Sequence, residues 1–208
     1  MEQHILIYPT YFPCIATMVA MAKAHKITLE VEDNYQKQTY RNRTYIAHSN
    51  GKLLLNIPVK HSKDSLHQKS KDVTAENNFP WLAEHWKSIQ VAYKTSPYFE
   101  YYEDDLLPLF KNPAVKLQDF NITILEKIVA IIGLEIKIEK TNSYQKKTEL
   151  QDMRHLVNCK KEPLYDFEKY HQVFEQSHGH LENLSIIDLL CNEGPNTLHY
   201  LESQSLKR

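Results

Sequence analysis

The sequence predicts an α/β fold: a single domain over residues 1–208, with a small mixed sheet holding a βαβ unit and an antiparallel hairpin, packed with several helices. Three observations predict it. An apolar run, a helix-forming stretch and an alternating run follow one another in the first ~30 residues, the length of a strand–helix–strand unit. Asn50-Gly51 stands between two β-prone runs, a strong short-range hairpin signal. Beyond residue 79, apolar residues recur at helical spacing in successive stretches.

The elements follow in order. Residues 4–9, "HILIYP", form an apolar run stopped by Pro9 and read as a short buried strand. Residues 12–25, "FPCIATMVAMAKAH", are helix formers with Pro13 suited to a first turn. Residues 26–32, "KITLEVE", alternate as a strand does. Residues 34–43, "NYQKQTYRNR", carry no aliphatic side chain and lead into the hairpin of residues 44–59. Residues 60–73 are lysine-rich, lack periodicity and read as an exposed loop. Helices are expected over 79–94, with Leu82, Trp86, Ile89 and Tyr93 on one stripe, over 96–111 with Ser96 as N-cap, and over 116–133 with Gly133 closing the last turn. Residues 134–140 alternate like a strand, and residues 153–157 read as a short helix. Residues 170–174 form a strand candidate. The segment 183–203 reads as helix, stop, helix, with Gly194 ending the first and Pro195 opening the second.

Composition narrows the function. A chain of 208 residues buries a core without staples. Its formal charge of -1 argues against a broad nucleic-acid footprint, which needs a basic excess. Cys14, Cys159 and Cys191 have no CxxC spacing and read as reduced thiols. No signal peptide and no membrane-length apolar window is evident, so a cytoplasmic protein is expected. With four glycines, the chain has neither of the common phosphate-binding glycine loops.

The candidate sites are few. Arg41 and Arg43, at i and i+2, would share one face of a strand with Asn42 opposite and Tyr40 and Tyr45 flanking. Their guanidinium forks match phosphate or carboxylate oxygens, which implies an anion clamp for a phosphorylated or carboxylated small molecule. The structural alternative pairs them with Glu30, Glu32 or Asp33. His85, on a helix beside Trp81 and Trp86, is a general-base candidate or a packing residue. His178 and His180, with Glu175 and Glu182 and with His155 and His171 elsewhere, invite a metal reading but lack a partner motif, and no metal is expected. Cys159 and Cys191 would be nucleophiles only beside a histidine brought near by the fold, which nothing local supports, and Cys191 reads as a buried apolar residue. Asp188, inside "SIIDLL", must be paired, solvated or functional, or serve a capping box begun by Ser185. The lysines of 60–71, with His61 and His67, read as a solvated loop, with an acidic polymer or a membrane surface as the other reading. No motif in the sequence names a cofactor, and its identity stays open at this point.

Several pieces then resemble one family in order: "YPTYFP", "YQKQTYRNR", "IPV", "HWKSIQVAYKTSPYFEYY", "DMRHL" and "NLSIIDLLCNEGP". The chain resembles the WbqC-like family, and most the compact form of Bacteroidetes-type bacteria. The resemblance implies an association with O-antigen and other surface-polysaccharide genes. It also implies a group-transfer activity, with glycine transfer to a sugar proposed for some members. It implies Tyr40, Arg41, Asn42 and Arg43 as the shared signature, and His85 as a recurring histidine. Many members open with His-Gln-Pro-Asn-Tyr-Leu-Pro; here the matching residues are Ile7, Tyr8, Pro9, Thr10, Tyr11, Phe12 and Pro13, so the histidine, glutamine and asparagine are replaced.

Overall fold

The computed structural model describes residues 3–60, 68–160 and 163–206. β1 (His4–Ile7), α1 (Ile15–Ala22) and β2 (Lys26–Leu29) form the expected βαβ unit, with β1 and β2 parallel and Ile5 opposite Ile27. β5 (Lys137–Lys140) adds to β2 and the two-residue β6 (Gln151–Asp152) adds to β1, both parallel, giving the order β5-β2-β1-β6. Ile5, Leu6, Ile7, Ile27 and Leu29 are buried, as a parallel sheet covered on both faces requires. The chain leaves β1 toward β2 on one side, while β6 returns on the other. The carboxyl end of β1 is therefore the point where the strand order reverses, the place where open α/β sheets form a crevice.

The hairpin stands apart from this sheet. β3 (Arg43–His48) and β4 (Gly51–Asn56) pair antiparallel as a ribbon of their own. Ser49 and Asn50 turn the chain without positive φ, and Gly51 takes φ 105° as the first residue of β4. The glycine thus acts just after the turn rather than at its centre.

α2 (Trp81–Tyr93), α3 (Phe99–Leu106) and α4 (Leu117–Ile132) occupy the predicted helical stretches. α4 ends at Gly133 with φ 69°, its N–H bonded to the carbonyls of Val129 and Ala130. α3 starts later than expected: Ser96 caps no helix but donates its hydroxyl to the Tyr93 carbonyl, and Tyr98 takes the position before the helix. The predicted strand at 170–174 is absent. Gln172 is fully buried and its side-chain amide binds both the N–H and the C=O of Leu181, doing with one side chain what a strand ladder would do. Residues Arg154–Val157 make one 3-10 turn. A four-residue helix, α5 (Glu175–His178), follows the Gln172 segment. The segment 61–67, with His61 and His67, lies outside the described residues. Lys69 bridges to Asn34 and Ser70 is buried, so the latter part of the expected loop is packed.

α6 (Ile186–Glu193) ends at Gly194 as the sequence predicts, but Pro195 lies in a 3-10 turn over Gly194–Asn196, and Thr197 rather than Pro195 opens α7 (Thr197–Ser203). α6 packs against α1, α3, α7 and β3, and its residues from Ile186 to Asn192 are buried. Gly194 has φ 53°, and a Cβ there would lie 2.4 Å from the Tyr98 ring. Gly194→Ala is therefore expected to lose about 2 kcal/mol, from backbone strain and a displaced ring. Urea unfolding of the variant checks this; a midpoint equal to wild type would show that Tyr98 yields without cost.

Candidate functional site

Three strands deliver side chains to the crevice. Tyr8 follows β1, Glu30 follows β2 and Thr141 follows β5. The ladder runs one step past the strands, since the Glu30 N–H bonds the Ile7 carbonyl and the Thr141 N–H bonds the Leu29 carbonyl. Arg154, just past β6, reaches the same edge, with Nη1 3.8 Å from Glu30 Oε2. Its guanidinium is held chiefly by Asp152, through Nε to Oδ1 at 2.9 Å and Nη2 to Oδ2 at 2.6 Å.

Arg41 does not lie on a strand face with Arg43. It sits in the turn before β3, 3% exposed, with Nη2 2.6 Å from Asp33 Oδ2 and its guanidinium 3.9 Å over the Tyr8 ring. The sequence alternative named Asp33 as a surface partner; the pair is buried instead. Around it Tyr8, Glu30, Tyr35, Ser70, Gln118 and Asn121 line a small cavity of about 10 Å³. The Tyr8 hydroxyl is pushed up to about 12, first by burial and then by Asp33. Burial also pushes Tyr35 up to about 12, against the pull of Arg41 and Arg43.

Arg43 is the first residue of β3 and faces a different space. It lines an open cleft of about 490 Å³ with Lys37, Gln38, Lys60 and Glu76, the one carboxylate among the described lining residues. Its Nε is buried and has no hydrogen-bond partner among the described residues. Tyr35 borders both the cavity and the cleft. The other two signature residues hold the frame. Tyr40 is buried; its N–H bonds the Val157 carbonyl and its carbonyl accepts from the Tyr11 N–H. Asn42 donates its side-chain amide to Asn56 Oδ1 and the Ile57 carbonyl. The loop after β1 is pinned with equal firmness. Phe12 takes φ 41° while fully buried, and its carbonyl accepts from the Thr44 and Ser185 hydroxyls. A non-glycine residue holds such a conformation only where its surroundings over-determine it.

His85 lies behind the cleft rather than in it. It is 7% exposed, its Nδ1 is 2.8 Å from the Tyr11 hydroxyl, and it bonds the backbone of Asn56, which borders the cleft. Burial lowers its pKa to about 4 and the Asn56 bond opposes that only in part, so the ring is neutral at pH 7.

Asp188 is fully buried and accepts from the Tyr93 hydroxyl at 2.8 Å and the Tyr170 hydroxyl at 2.5 Å. Burial raises its pKa to about 6 against the effect of these donors. Ser185 caps α6 through the Ile187 N–H, but the Asp188 carboxylate takes no part in a capping box. Burial holds the Cys191 thiol well above its ordinary value, as an unreactive buried cysteine requires. His178 binds the carbonyls of His48 and Gly179, and His180 packs edge-on to Tyr170. Among the described residues no group of three or more His, Cys, Asp or Glu side chains is placed to hold a metal ion. No described helix is long and apolar enough to cross a membrane.

The sequence reading missed Tyr8, Tyr35, Ser70 and Asn121. The available signal was position: Tyr8 stands at the end of the first strand of a βαβ unit, where such sheets place ligand contacts. Ser70 and Asn121 carry no local signal, because they come from distant chain segments.

A relative from Mycobacterium tuberculosis (strain ATCC 25618 / H37Rv), named "Uncharacterized protein Rv1507c", is 22% identical over 146 residues, which cover 70% of this chain and 62% of that protein. This chain thus spans less than two thirds of that relative. No solved structure matches significantly. The model of one family, described as "WbqC-like protein family", matches residues 8–164, from the Tyr8 loop through the signature to the segment after β6. By that match, which takes in most of its length, the chain belongs to the WbqC-like protein family.

Proposed function

We propose that this protein binds a phosphorylated or carboxylated small molecule in the Arg43 cleft and acts on it as a cytosolic group-transfer enzyme of surface-polysaccharide assembly. Aminoacyl or glycyl transfer to a sugar is the reaction the family resemblance implies. The observation that carries the reading is Arg43: it lines an open cleft, its buried Nε has no partner among the described residues, and Lys37 and Lys60 stand beside it with Glu76 as the one carboxylate among the described lining residues. A forked cation in that setting suits a planar or tetrahedral anion. Tyr40 and Asn42 serve by fixing the turn that aims Arg43, and the buried Arg41 serves by anchoring that turn to Asp33. His85 serves as a positioning residue through Asn56.

A second reading, recognition of the anion or of a partner enzyme without catalysis, is favoured by the enclosure of His85, the general-base candidate. A nucleic-acid partner is disfavoured by the near-neutral charge.

Arg43→Ala is expected to weaken binding of a nucleotide sugar or an aminoacyl phosphate by roughly tenfold to a hundredfold, the loss of one charged hydrogen-bonding group. Folding stability should change by about 1 kcal/mol or less, because the residue is only half-buried and makes no ion pair among the described residues. Calorimetric titration of wild type and variant measures the first and urea unfolding the second. Equal affinities would remove Arg43 from the site. Product formation from a bound donor decides between transfer and recognition alone.

A further inference from the structure

We infer that the small cavity between the carboxyl ends of β1 and β2 is a subsite for a primary ammonium group, carried by an amino sugar whose body lies in the adjoining groove. The inference goes beyond the anion cleft and does not depend on it.

Unsatisfied acceptors come first. Glu30 Oε2, Asp33 Oδ1 and Asn121 Oδ1 are buried and have no hydrogen-bond partner among the described residues, and the Tyr35 and Ser70 hydroxyls share that state. All five residues line this one cavity. Buried polar atoms are rarely left unpaired, so their concentration here marks a place built for a guest. The Asn121 amide is oriented by its neighbours: Nδ2 donates to the Arg41 carbonyl at 2.7 Å and toward the Pro9 carbonyl at 3.4 Å, which leaves Oδ1 as the free acceptor. A guest that satisfies two carboxylate oxygens and an amide oxygen must donate.

The charges make the same demand. Asp33 is neutralised by Arg41, and Arg154 is neutralised by its bidentate bond with Asp152. Glu30, 1% exposed, has Arg154 only at 3.8 Å, while its Oε1 accepts from the Glu32 N–H and the Thr141 hydroxyl. Among the described residues Glu30 is thus the carboxylate whose charge is least compensated, and a buried charge held by one long contact is costly. A monocation with three donors answers both the charge and the empty acceptors. The volume of about 10 Å³ is near that of a single small group and excludes a whole ligand.

The rest of the ligand has a place. Glu30 is also a wall of an open groove of about 760 Å³. That groove is lined by Asn142, Ser143, Gln145 and Thr148, with Lys147 and Glu149 beside them. Neutral side chains that donate and accept suit the hydroxyls of a sugar ring. On the other side, Tyr35 separates the cavity from the Arg43 cleft. An amine held here and an anion held there would be neighbours.

The test is a thermal-shift and calorimetric titration of the full chain with glucosamine, at a pH where its amine is protonated and with no anionic ligand present. Glucose and N-acetylglucosamine are the amine-free controls, and potassium and magnesium chloride are the inorganic cations. Glucosamine should bind and raise the melting point, while the four controls should not. Glu30→Gln should melt higher than wild type when unliganded, having lost a buried charge that Arg154 meets only at 3.8 Å, and should bind glucosamine roughly tenfold to a hundredfold more weakly. Ser70→Ala removes an oxygen that bonds nothing among the described residues; it should fold normally and bind about fivefold more weakly. It decides the matter if Glu30→Gln fails to fold. No glucosamine binding, equal binding of the amine-free sugars, undiminished binding by Ser70→Ala, or the same shift from potassium or magnesium would each overturn the inference.

Discussion

Arg41→Ala is expected to lose about 3–5 kcal/mol of folding stability, the scale for removing one partner of a buried ion pair. The side chains of Arg41 and Asp33 are each 4% exposed. Without the guanidinium, the Asp33 carboxylate stays in a site that water cannot reach freely, and the Tyr8 ring loses the cation stacked on it. Exchanging both charges, as Arg41→Met with Asp33→Asn, should recover a large part of the loss, because neutral groups of similar size do not carry the desolvation cost. Urea unfolding of the single and double variants measures both effects. A single variant within about 1 kcal/mol of wild type would contradict the structural role and return Arg41 to the ligand, since surface pairs are worth no more than that. The contrast with Arg43 is the point. Two arginines separated by one residue do different work, one holding the turn and the other facing an open cleft.

That division shows where the sequence was legible. Elements whose ends carry their own chemistry could be read: Gly133 with its left-handed cap, Gly194-Pro195 between α6 and α7, and the Asn50-Gly51 hairpin. The βαβ unit could be read because β1 and α1 carry local periodicity. What failed was decided by distant partners. The i, i+2 spacing of Arg41 and Arg43 implied one face only if both lay on a strand, but Asp33 and the Asn121 amide hold the Arg41 backbone and side chain in a turn. Glu30 shares its alternation with Lys26 and Thr28 and reads as a solvent-facing residue of β2. It is buried because the strand ends at Leu29 and Thr141 closes over it. The segment at 170–174 alternates as a strand should, yet Gln172 pairs through its side chain and leaves no ladder to form. The signature itself was visible as a polar run between strands. Its partition into anchor and cleft residues was not, since that depends on which side of Tyr35 each side chain falls.

The opposite pH responses of His85 and Asp188 give the second large effect. His85 has a folded pKa of about 4 against an ordinary 6.5, so the unfolded chain binds its proton more readily. The stability tied to the neutral ring is fully present above pH 6.5 and is lost as pH falls toward 4, about 3 kcal/mol in all. Asp188 has a folded pKa of about 6 against an ordinary 3.8, so here the folded chain binds the proton more readily. Its contribution is fully present below pH 3.8 and is lost as pH rises through 6, again about 3 kcal/mol. Between pH 4 and 6 the two therefore oppose each other, and wild type conceals both. His85→Gln leaves Asp188 uncovered, so that acidification from pH 6.5 to 4 should stabilise the variant relative to wild type by about 3 kcal/mol. Asp188→Asn leaves His85 uncovered and should be destabilised relative to wild type by a similar amount over the same range. Other carboxylates, such as Asp152 beside Arg154, titrate alike in all three proteins and cancel from the differences. Urea unfolding free energies at pH 4 and pH 6.5 for the three proteins provide the measurement. If both variants track wild type across that range, the burial of these two groups does not govern their protons. If only the His85 variant departs, the Tyr93 and Tyr170 hydroxyls hold the Asp188 carboxylate ionised in spite of its burial.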